Sequence, residues 1–228
     1  MGWYPMMMRL AGKLCVVIGG GAVAERKTAA LLEAEARVRV VSPRLTPALR
    51  RWAEDGHVEA VVREARESDL DGAFLAFVAA DSDNVRARMI AAAKSRGVLV
   101  NAAGEGEEGD FLTPAVVRRG DLVLAVSASG ASPALAARIA DELAERYGPE
   151  YERAARALRA VRQVVKERVA DPAERRRLLT AAAGEAGLAA LLAADPLPEG
   201  EALLATVRAL PPVPAPSGTG GRADSIED

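Results

Sequence analysis

The sequence predicts an α/β fold with a parallel sheet in its first half, followed by an antiparallel hairpin and a run of helices. Strand signals alternate with helix signals through the first hundred residues, which implies parallel strands joined by crossover helices. Leu14–Ile18 is a continuous apolar run, as expected of a strand that is buried on both faces of its sheet. After about residue 110 the alternation stops, and a hairpin signal precedes helical segments that continue to about Ala209.

Local signals justify each element of the parallel part. Thr46 and Pro47 are an N-cap residue and a first-turn proline, and they open a helix that ends near Gly56. Ser82 begins the next helix and Gly97 stops it. The predicted strands are Leu14–Ile18, Arg37–Val41, His57–Val62, Ala73–Ala80 and Val98–Asn101, and the helices between them cover Ala22–Ala34, Thr46–Gly56 and Ser82–Arg96.

The second half of the chain is predicted to contain a hairpin and then helices. Its elements are the strands Phe111–Val117 and Leu122–Ser127, the turn Arg118–Asp121 between them, and a helix from Ser132-Pro133 to Gly148. The segments from Glu150 onward are helical or connecting, and the proline- and glycine-rich tail from Pro211 is predicted to be disordered. The predicted domains are therefore 1–112, 113–148 and 149–210, followed by the tail 211–228.

Composition excludes several classes of function. The chain has 228 residues and a net charge of −2, which argues against a protein that coats nucleic acid. A single cysteine, Cys15, excludes a disulfide scaffold, and the single histidine, His57, is predicted to be a surface residue. No apolar run reaches the roughly 18 residues that a membrane helix needs. We therefore expect a cytoplasmic protein with no metal site of its own, no nucleic-acid partner and no membrane partner.

A glycine-rich run follows the first strand and opens the first helix. Gly19-Gly20-Gly21-Ala22-Val23-Ala24 fits the G-x-G-x-x-G/A pattern of dinucleotide-binding folds. Gly19 permits the tight turn, Gly21 lets a pyrophosphate approach the backbone, and Ala24 lets the helix pack closely on the sheet. The free N–H groups at the start of the helix face the phosphates. The run therefore predicts a dinucleotide site on a Rossmann-type sheet.

The position that contacts the ribose leaves the choice of dinucleotide open. NAD sites usually carry Asp or Glu at the end of the second strand, about 20 residues after the glycines. This sequence has Ser42-Pro43-Arg44 there, with no acid. Arg44 either contacts a 2′-phosphate or is a solvated loop residue, so the residues alone allow NAD or NADP.

Tyr4-Pro5 and six further segments form a more specific pattern. This pattern covers about residues 4–148. The six segments are Leu10–Lys13, Val17–Lys27, Phe77–Asp81, Gly97–Asn101, Gly109–Leu122 and Ala125–Ala136. Together these segments resemble the precorrin-2 dehydrogenase/sirohydrochlorin ferrochelatase family, which is the N-terminal part of siroheme synthase. A dinucleotide-binding motif alone would not produce the last two matches.

The resemblance implies a fold, an activity and a set of contacts. The fold is a Rossmann domain, a strand-and-helix dimerisation region and a small helical domain, in a protein that forms a homodimer. The activity is NAD-dependent oxidation of the tetrapyrrole precorrin-2 to sirohydrochlorin, and some members also insert Fe²⁺ to give siroheme. The implied cofactor contacts are Gly19, Gly20, Gly21, Ala22, Val23, Pro43, Arg44, Ala79, Ala80 and Asp81.

One catalytic position departs from the family pattern. The family usually has an Asp directly after the Asn-x-x that ends the fifth strand, and Gly104 occupies that position here. We refer to the segment with Glu105, Glu107, Glu108 and Asp110 as the acidic loop. Glu105 or Asp110 is the candidate for the catalytic carboxylate, because the oxidation also removes a proton. The loop is also compatible with a solvated turn that its glycines make flexible. Two alternatives therefore stay open: a non-catalytic nucleotide- or tetrapyrrole-binding protein on this scaffold, and an unrelated NAD(P) oxidoreductase.

Two polar regions are candidates for binding the carboxylates of a tetrapyrrole substrate. One is the strand-to-helix turn that contains Ser127, Ser129 and Ser132. Ser132 is expected to cap the helix that follows, and the N-terminus of that helix can also bind a carboxylate of the substrate. Residues 151–178 carry nine Lys and Arg side chains against four acids. A solvated amphipathic face explains this basic region equally well.

Overall fold

The structure is a computed structural model that describes residues 2–102 and 109–213. Its contacts divide the chain into two compact units. The first consists of Met1–Pro114 with Ser127–Pro133, and the second of Ala115–Val126 with Ala134–Asp228. The finer division of the second half into a dimerisation region and a helical domain stays a prediction. The predicted disordered tail lies, from residue 214 onward, outside the described residues.

The first unit is a five-stranded parallel sheet with helices between its strands. Its elements are β1 Leu14–Ile18, α1 Ala22–Glu33, β2 Arg37–Val41, α2 Pro47–Glu54, β3 Val58–Val61, a 3-10 helix Glu67–Leu70, β4 Leu75–Val78, α3 Asp83–Ser95 and β5 Leu99–Ala102. The strand order is β3-β2-β1-β4-β5, and each neighbouring pair is parallel. The predicted α/β Rossmann-type sheet is therefore confirmed.

Both predicted helix caps of this unit are present. The Oγ1 of Thr46 accepts a hydrogen bond from the Leu49 N–H at 3.2 Å, and the Oγ of Ser82 accepts one from the Val85 N–H at 3.5 Å. Each bond satisfies one of the backbone donors that the first turn of a helix leaves without a partner. These side chains therefore fix where α2 and α3 begin, at the edge of the sheet that carries the candidate site.

The packing of β1 explains why its sequence is apolar at successive positions. Cys15 and Val17 belong to the core that α1 and α2 cover, whereas Val16 and Ile18 belong to the core on the α3 side. All four are at most 1% exposed. Successive side chains of a strand point to opposite faces, so a strand between two helical layers needs an apolar residue at each position. Burial of each Val or Ile contributes roughly 1.5–3 kcal/mol.

A buried ion pair stabilises the connection between β3 and β4, where the sequence predicted no regular element. The Asp69 carboxylate accepts hydrogen bonds from the Arg63 guanidinium at 2.8 and 2.7 Å and from the Arg66 backbone N–H at 2.7 Å. Asp69 is only 6% exposed, and the hydrogen bond from Arg63 is the main reason that the pKa of its carboxyl lies below the usual range. A buried carboxylate requires such partners.

The second unit contains an antiparallel hairpin and a group of helices. Its elements are β6 Ala115–Arg119, β7 Leu122–Val126, α4 Pro133–Arg146, α5 Glu150–Arg168, α6 Pro172–Ala183, α7 Glu185–Ala193 and α8 Gly200–Arg208. Val161 and Val165 of α5 pack with Leu178 of α6 and with Leu203 and Val207 of α8. This unit therefore has an apolar core of its own.

The hairpin is antiparallel, as predicted, but its turn is shorter than expected. The pairing register leaves only Gly120 and Asp121 between the strands. The prediction that Arg118 and Arg119 lie in the turn was wrong, because both belong to β6. The Arg119 guanidinium donates to the carbonyl oxygen of Tyr147 at 2.9 Å, just beyond α4. Carbonyl groups at the end of a helix attract cations, and this long-range contact has no local sequence signal.

Candidate functional site

The loop between β1 and α1 contains glycines at two positions where a side chain would collide with backbone. Gly19 has a φ of +123°, which residues with side chains rarely adopt, and a Cβ there would collide with the carbonyl oxygen of Ala79. A Cβ at Gly20 would collide with the carbonyl oxygen of Arg44. The sequence motif treats Gly20 as a free position. The motif therefore does not show that the fold itself requires glycine at position 20.

Backbone hydrogen bonds connect this loop to the neighbouring strands. The Gly19 N–H donates to the Val41 carbonyl at 3.0 Å, and the Thr46 N–H donates to the Gly20 carbonyl at 3.1 Å. Because β1, β2 and β4 are parallel, their carboxyl ends lie at one edge of the sheet. The loops that follow these three strands therefore meet at that edge.

Gly21 differs from the two preceding glycines because it faces open space. A Cβ at Gly21 would have no heavy atom within 4 Å, and Gly21 is the N-cap of α1 without a side chain to cap it. The first N–H groups of a helix lack an intrahelical acceptor and carry the positive end of the helix dipole. The fold sets no steric demand at Gly21, so the backbone N–H groups there are open to a ligand phosphate.

A cavity of about 400 Å³ opens at this edge of the sheet. It lies at the carboxyl ends of β1 and β4, where the direction of the strand connections reverses, and doubly wound sheets bind ligands at this position. Eight of the ten predicted cofactor contacts line it: Gly19, Gly20, Gly21, Pro43, Arg44, Ala79, Ala80 and Asp81. Ala22 and Val23 follow in the first turn of α1. Glu64, Ala65 and Val85 also line the cavity and were missed, although each belongs to a segment that follows a strand.

The side of the cavity next to β2 carries Ser42 and Arg44. Ser42 is 8% exposed, and its Oγ accepts a long hydrogen bond of 3.4 Å from the Arg44 N–H. The Arg44 side chain is exposed and forms no ion pair with any residue that the structure describes. This side of the cavity therefore offers a guanidinium, and no carboxylate from the end of β2, to the ribose of a dinucleotide.

Asp110 lies beside β5 and is fixed there by hydrogen bonds. Its N–H donates to the Val100 carbonyl at 2.7 Å, and the Val100 N–H donates to its Oδ2 at 2.9 Å. The buried Asn101 donates through Nδ2 to the Phe111 carbonyl at 2.8 Å. We refer to Asp110–Thr113 as the flanking segment, because it begins at the last acidic residue of the acidic loop. Asp110 is exposed but does not line the cavity.

The other catalytic candidate cannot be placed in the same way. Glu105 lies outside the described residues, as does Gly104, the position where the family pattern has Asp. The assignment of the catalytic carboxylate to Glu105 or Asp110 therefore stays a prediction. The structure does show that the flanking segment is hydrogen-bonded to β5 through Asp110.

Lys27 on α1 is a residue that the sequence pattern did not single out as functional. Its Nζ donates to the Oγ1 of Thr113 and lies 5.4 Å from the centroid of the Phe77 ring. Phe77 meets Phe111 edge to face, with centroids 5.4 Å apart. Burial, and to a lesser degree the charge of Arg26, lower the pKa of the Lys27 ammonium. Thr113 is 86 residues away in the chain, so no local pattern announces this contact.

The three serines proposed as substrate contacts lie in the turn between β7 and α4. Ser129 has a φ of +53°, and its N–H donates to the Oγ of Ser127 at 3.1 Å. Ser132 directly precedes Pro133, the first residue of α4. None of the three lines the cavity beside the glycines, so their role in substrate binding stays a prediction.

The structure sorts the nine cationic side chains of residues 151–178 into two groups. Five are engaged: Arg153 with the Leu192 carbonyl, Arg156 with Glu152, Arg159 with Asp121, Arg168 with Glu201, and Arg175 with the Val169 carbonyl. The side chains of Arg162, Lys166, Arg176 and Arg177 have no partner among residues 2–102 and 109–213. More than half of the apparent positive patch therefore serves contacts within the second unit.

Residues 2–102 and 109–213 contain no group of three or more His, Cys, Asp or Glu that could hold a metal ion. No helix in these two ranges is both long enough and apolar enough to cross a membrane. His57 is exposed, and burial raises the pKa of the Cys15 thiol to about 11.

Three kinds of comparison show which known proteins this chain resembles. Residues 6–115 match a family model described as putative NAD(P)-binding. The siroheme synthase of Chromobacterium violaceum is 37% identical over 177 residues, and that of Nitrosococcus oceani is 34% identical over 180 residues. These alignments cover 78% and 77% of this chain but 38% of each relative, so the chain spans less than half the length of these proteins.

A solved structure covers still more of the chain. The protein named SirC, precorrin-2 dehydrogenase, superposes with a TM-score of 0.74 at 26% sequence identity. The superposition covers 90% of this chain and 99% of that one. These matches confirm the resemblance found in the sequence motifs: the chain is similar to the siroheme synthases over 38% of their length and to SirC over 99% of that chain.

Proposed function

We propose that this chain oxidises precorrin-2 to sirohydrochlorin with NAD⁺ as the hydride acceptor. The observation that carries the proposal is the glycine cradle of Gly19–Gly21 in a chain that aligns with nearly the whole of SirC, which is named a precorrin-2 dehydrogenase. The relatives named siroheme synthase support a role in the formation of siroheme.

In this proposal the β1–α1 loop binds the dinucleotide. Gly21 leaves the backbone open to the pyrophosphate, and the first N–H groups of α1 donate to it. When bound, the nicotinamide supplies the acceptor for the hydride. We assign NAD⁺ from the family resemblance. Arg44 makes NADP⁺ the necessary comparison, because its guanidinium is free to contact a 2′-phosphate.

The reaction also requires a base, because precorrin-2 loses one hydride and one proton. Asp110 is one candidate: its Oδ2 accepts from the Val100 N–H, and its Oδ1 has no hydrogen bond to any residue of the described ranges. Glu105 is the other. An amide at position 110 keeps an oxygen for the Val100 N–H but accepts no proton, so Asp110→Asn distinguishes a base from a structural clamp.

Two further parts of the proposal concern assembly and iron. We expect a homodimer, and Val116 in β6 and Leu135 in α4 expose 44% and 42% of their surface as apolar area that a subunit contact could cover. Light scattering should give twice the chain mass of 23.8 kDa. Insertion of Fe²⁺ as a substrate is tested separately, by adding it to sirohydrochlorin with and without the protein.

The experiment that tests the proposal is anaerobic spectroscopy with enzymatically made precorrin-2. NAD⁺ and NADP⁺ are supplied in parallel to the purified protein. We expect the absorbance of sirohydrochlorin to grow together with an equimolar amount of reduced nicotinamide. If the protein binds a dinucleotide but converts no precorrin-2 with either one, the proposal fails, and a non-catalytic binding protein on this scaffold takes its place.

A further inference from the structure

Lys27 is a half-buried ammonium without an acidic partner among the described residues. Its contacts are the hydroxyl of Thr113 and the face of the Phe77 ring. Removal of an ammonium from water is unfavourable unless a charge compensates it, and the lowered pKa of Lys27 reflects that cost. A lysine that extended into solvent would avoid the cost. The hydroxyl group and the aromatic ring offset part of this cost, and both belong to residues far from Lys27 in the sequence.

The contacts of Lys27 connect α1 to the flanking segment. That segment is held at three points: Asp110 by the backbone of β5, Phe111 by Asn101 and the Phe77 ring, and Thr113 by Lys27. The first two points fix the segment to the sheet, and the third fixes it to α1. Lys27 lies six residues after Gly21, which is about 9 Å along the helix axis.

We propose that Lys27 is a positioning residue for the oxidation of precorrin-2: it fixes the flanking segment, and with it Asp110, relative to the α1 turn that binds the dinucleotide. This inference rests on the proposed function. Displacement of a reacting group by about 1 Å can cost on the order of 100-fold in rate. Lys27 does not line the cavity, so its loss should reduce turnover and leave cofactor affinity unchanged.

The kinetic test compares variants that keep or remove one half of the contact. Lys27→Met keeps the aliphatic stem and removes the ammonium, and we expect kcat to fall about 10- to 100-fold while the Kd for NAD⁺ changes less than about twofold. Thr113→Val removes the partner hydroxyl group and should lower kcat in the same way. Thr113→Ser retains a hydroxyl group and should keep kcat near the wild-type value. If the two residues act through one contact, the double variant is no slower than the slower single variant.

Arg26→Met is the matched control. Arg26 is an exposed cation on the same helix, one residue before Lys27, and no described residue pairs with it. This variant should keep the wild-type kcat, which separates the loss of a contact from the loss of a charge on α1. An equal fall of kcat in Arg26→Met and Lys27→Met would overturn the proposal.

Hydrogen exchange provides a readout that does not depend on turnover. The amides of residues 109–113 should exchange faster in Lys27→Met and in Thr113→Val than in the wild type. Their exchange should be unchanged in Arg26→Met, and the amides of β1 should stay protected in every variant. Unchanged exchange and unchanged kcat in Lys27→Met would contradict the inference, as would a fall in kcat that merely follows a loss of NAD⁺ binding. If the wild type does not oxidise precorrin-2, the proposed function fails, and with it the assigned purpose of the contact. The exchange rates still decide whether Lys27 holds the segment.

Discussion

The β1–α1 loop and the flanking segment, both in the first unit, are built in different ways. The β1–α1 loop is shaped by its backbone, because Gly19 and Gly20 lie where any side chain would collide with a neighbouring carbonyl group. The flanking segment is instead held by side chains from different elements, among them Lys27 and Asn101. The glycines are consecutive in the sequence, whereas the side chains that hold the segment come from separate elements of the fold. We therefore expect substitutions in the loop to weaken binding of the dinucleotide, and substitutions around the segment to reduce turnover.

The largest effect is expected from Gly20→Ala. The added Cβ would collide with the carbonyl oxygen of Arg44, so the loops after β1 and β2 must move apart, and overpacking of this kind costs about 1–3 kcal/mol. We expect the affinity for NAD⁺, measured by calorimetry, to fall about 100-fold or more. Gly21→Ala is the matched variant: it meets no protein atom, so it should keep the wild-type Tm and weaken NAD⁺ binding about tenfold. Wild-type affinity in Gly20→Ala would contradict the assignment of the cavity.

Asp110→Asn should affect turnover without affecting binding. If Asp110 is the base, kcat falls about 100-fold or more, because general base catalysis contributes at least that much. The Kd for NAD⁺ should stay at the wild-type value, since Asp110 lies outside the cavity. A wild-type kcat in this variant would show that Asp110 only clamps β5, and Glu105→Gln then becomes the test of the base.

The next effect concerns stability rather than catalysis. Asp69→Asn weakens three hydrogen bonds to a buried carboxylate and should lower the free energy of unfolding by about 2 kcal/mol at pH 7. The pKa of Asp69 is lower in the folded protein than in the unfolded chain, so its contribution is present above the unfolded pKa of about 4 and is lost as the pH falls through the folded pKa. Urea titrations at several pH values should therefore show the wild type and the variant converging in acid. A constant difference would contradict this role.

The smallest effect is expected at Cys15. This thiol is fully buried, and its pKa of about 11 leaves on the order of one thiolate per thousand molecules at pH 8. Iodoacetamide should therefore label the unfolded protein and leave the folded protein unmodified, as mass spectrometry can measure. Cys15→Ala should keep the wild-type kcat. Rapid labelling of the native protein would mean that the core around β1 opens.

The sequence predicted those features that depend on neighbouring residues. The five strands, the Thr46 and Ser82 caps and most of the cavity lining follow from local patterns and from the rule that parallel strands place their carboxyl ends at one edge. Besides part of the cavity lining, four features were missed: the need for glycine at position 20, the hydrogen bonds of the buried Asp69, the strand positions of Arg118 and Arg119, and the contact of Lys27 with Thr113. The constraint on Gly20 and the contact of Lys27 depend on distant partners that only the folded chain brings near. The other two are local: the partners of Asp69 are three and six residues away, and Arg118 and Arg119 pair with residues across a two-residue turn.

The measurement that tests the central claim most directly compares binding and turnover in three proteins side by side. Precorrin-2 is supplied anaerobically with NAD⁺ to the wild type, Asp110→Asn and Gly20→Ala, and sirohydrochlorin and NADH are both quantified. We predict one NADH for each sirohydrochlorin in the wild type, binding without rapid turnover in Asp110→Asn, and neither in Gly20→Ala. Sirohydrochlorin formed by the wild type without NADH, or full turnover in Gly20→Ala, would contradict the assignment of the glycine cradle as the site of the hydride acceptor.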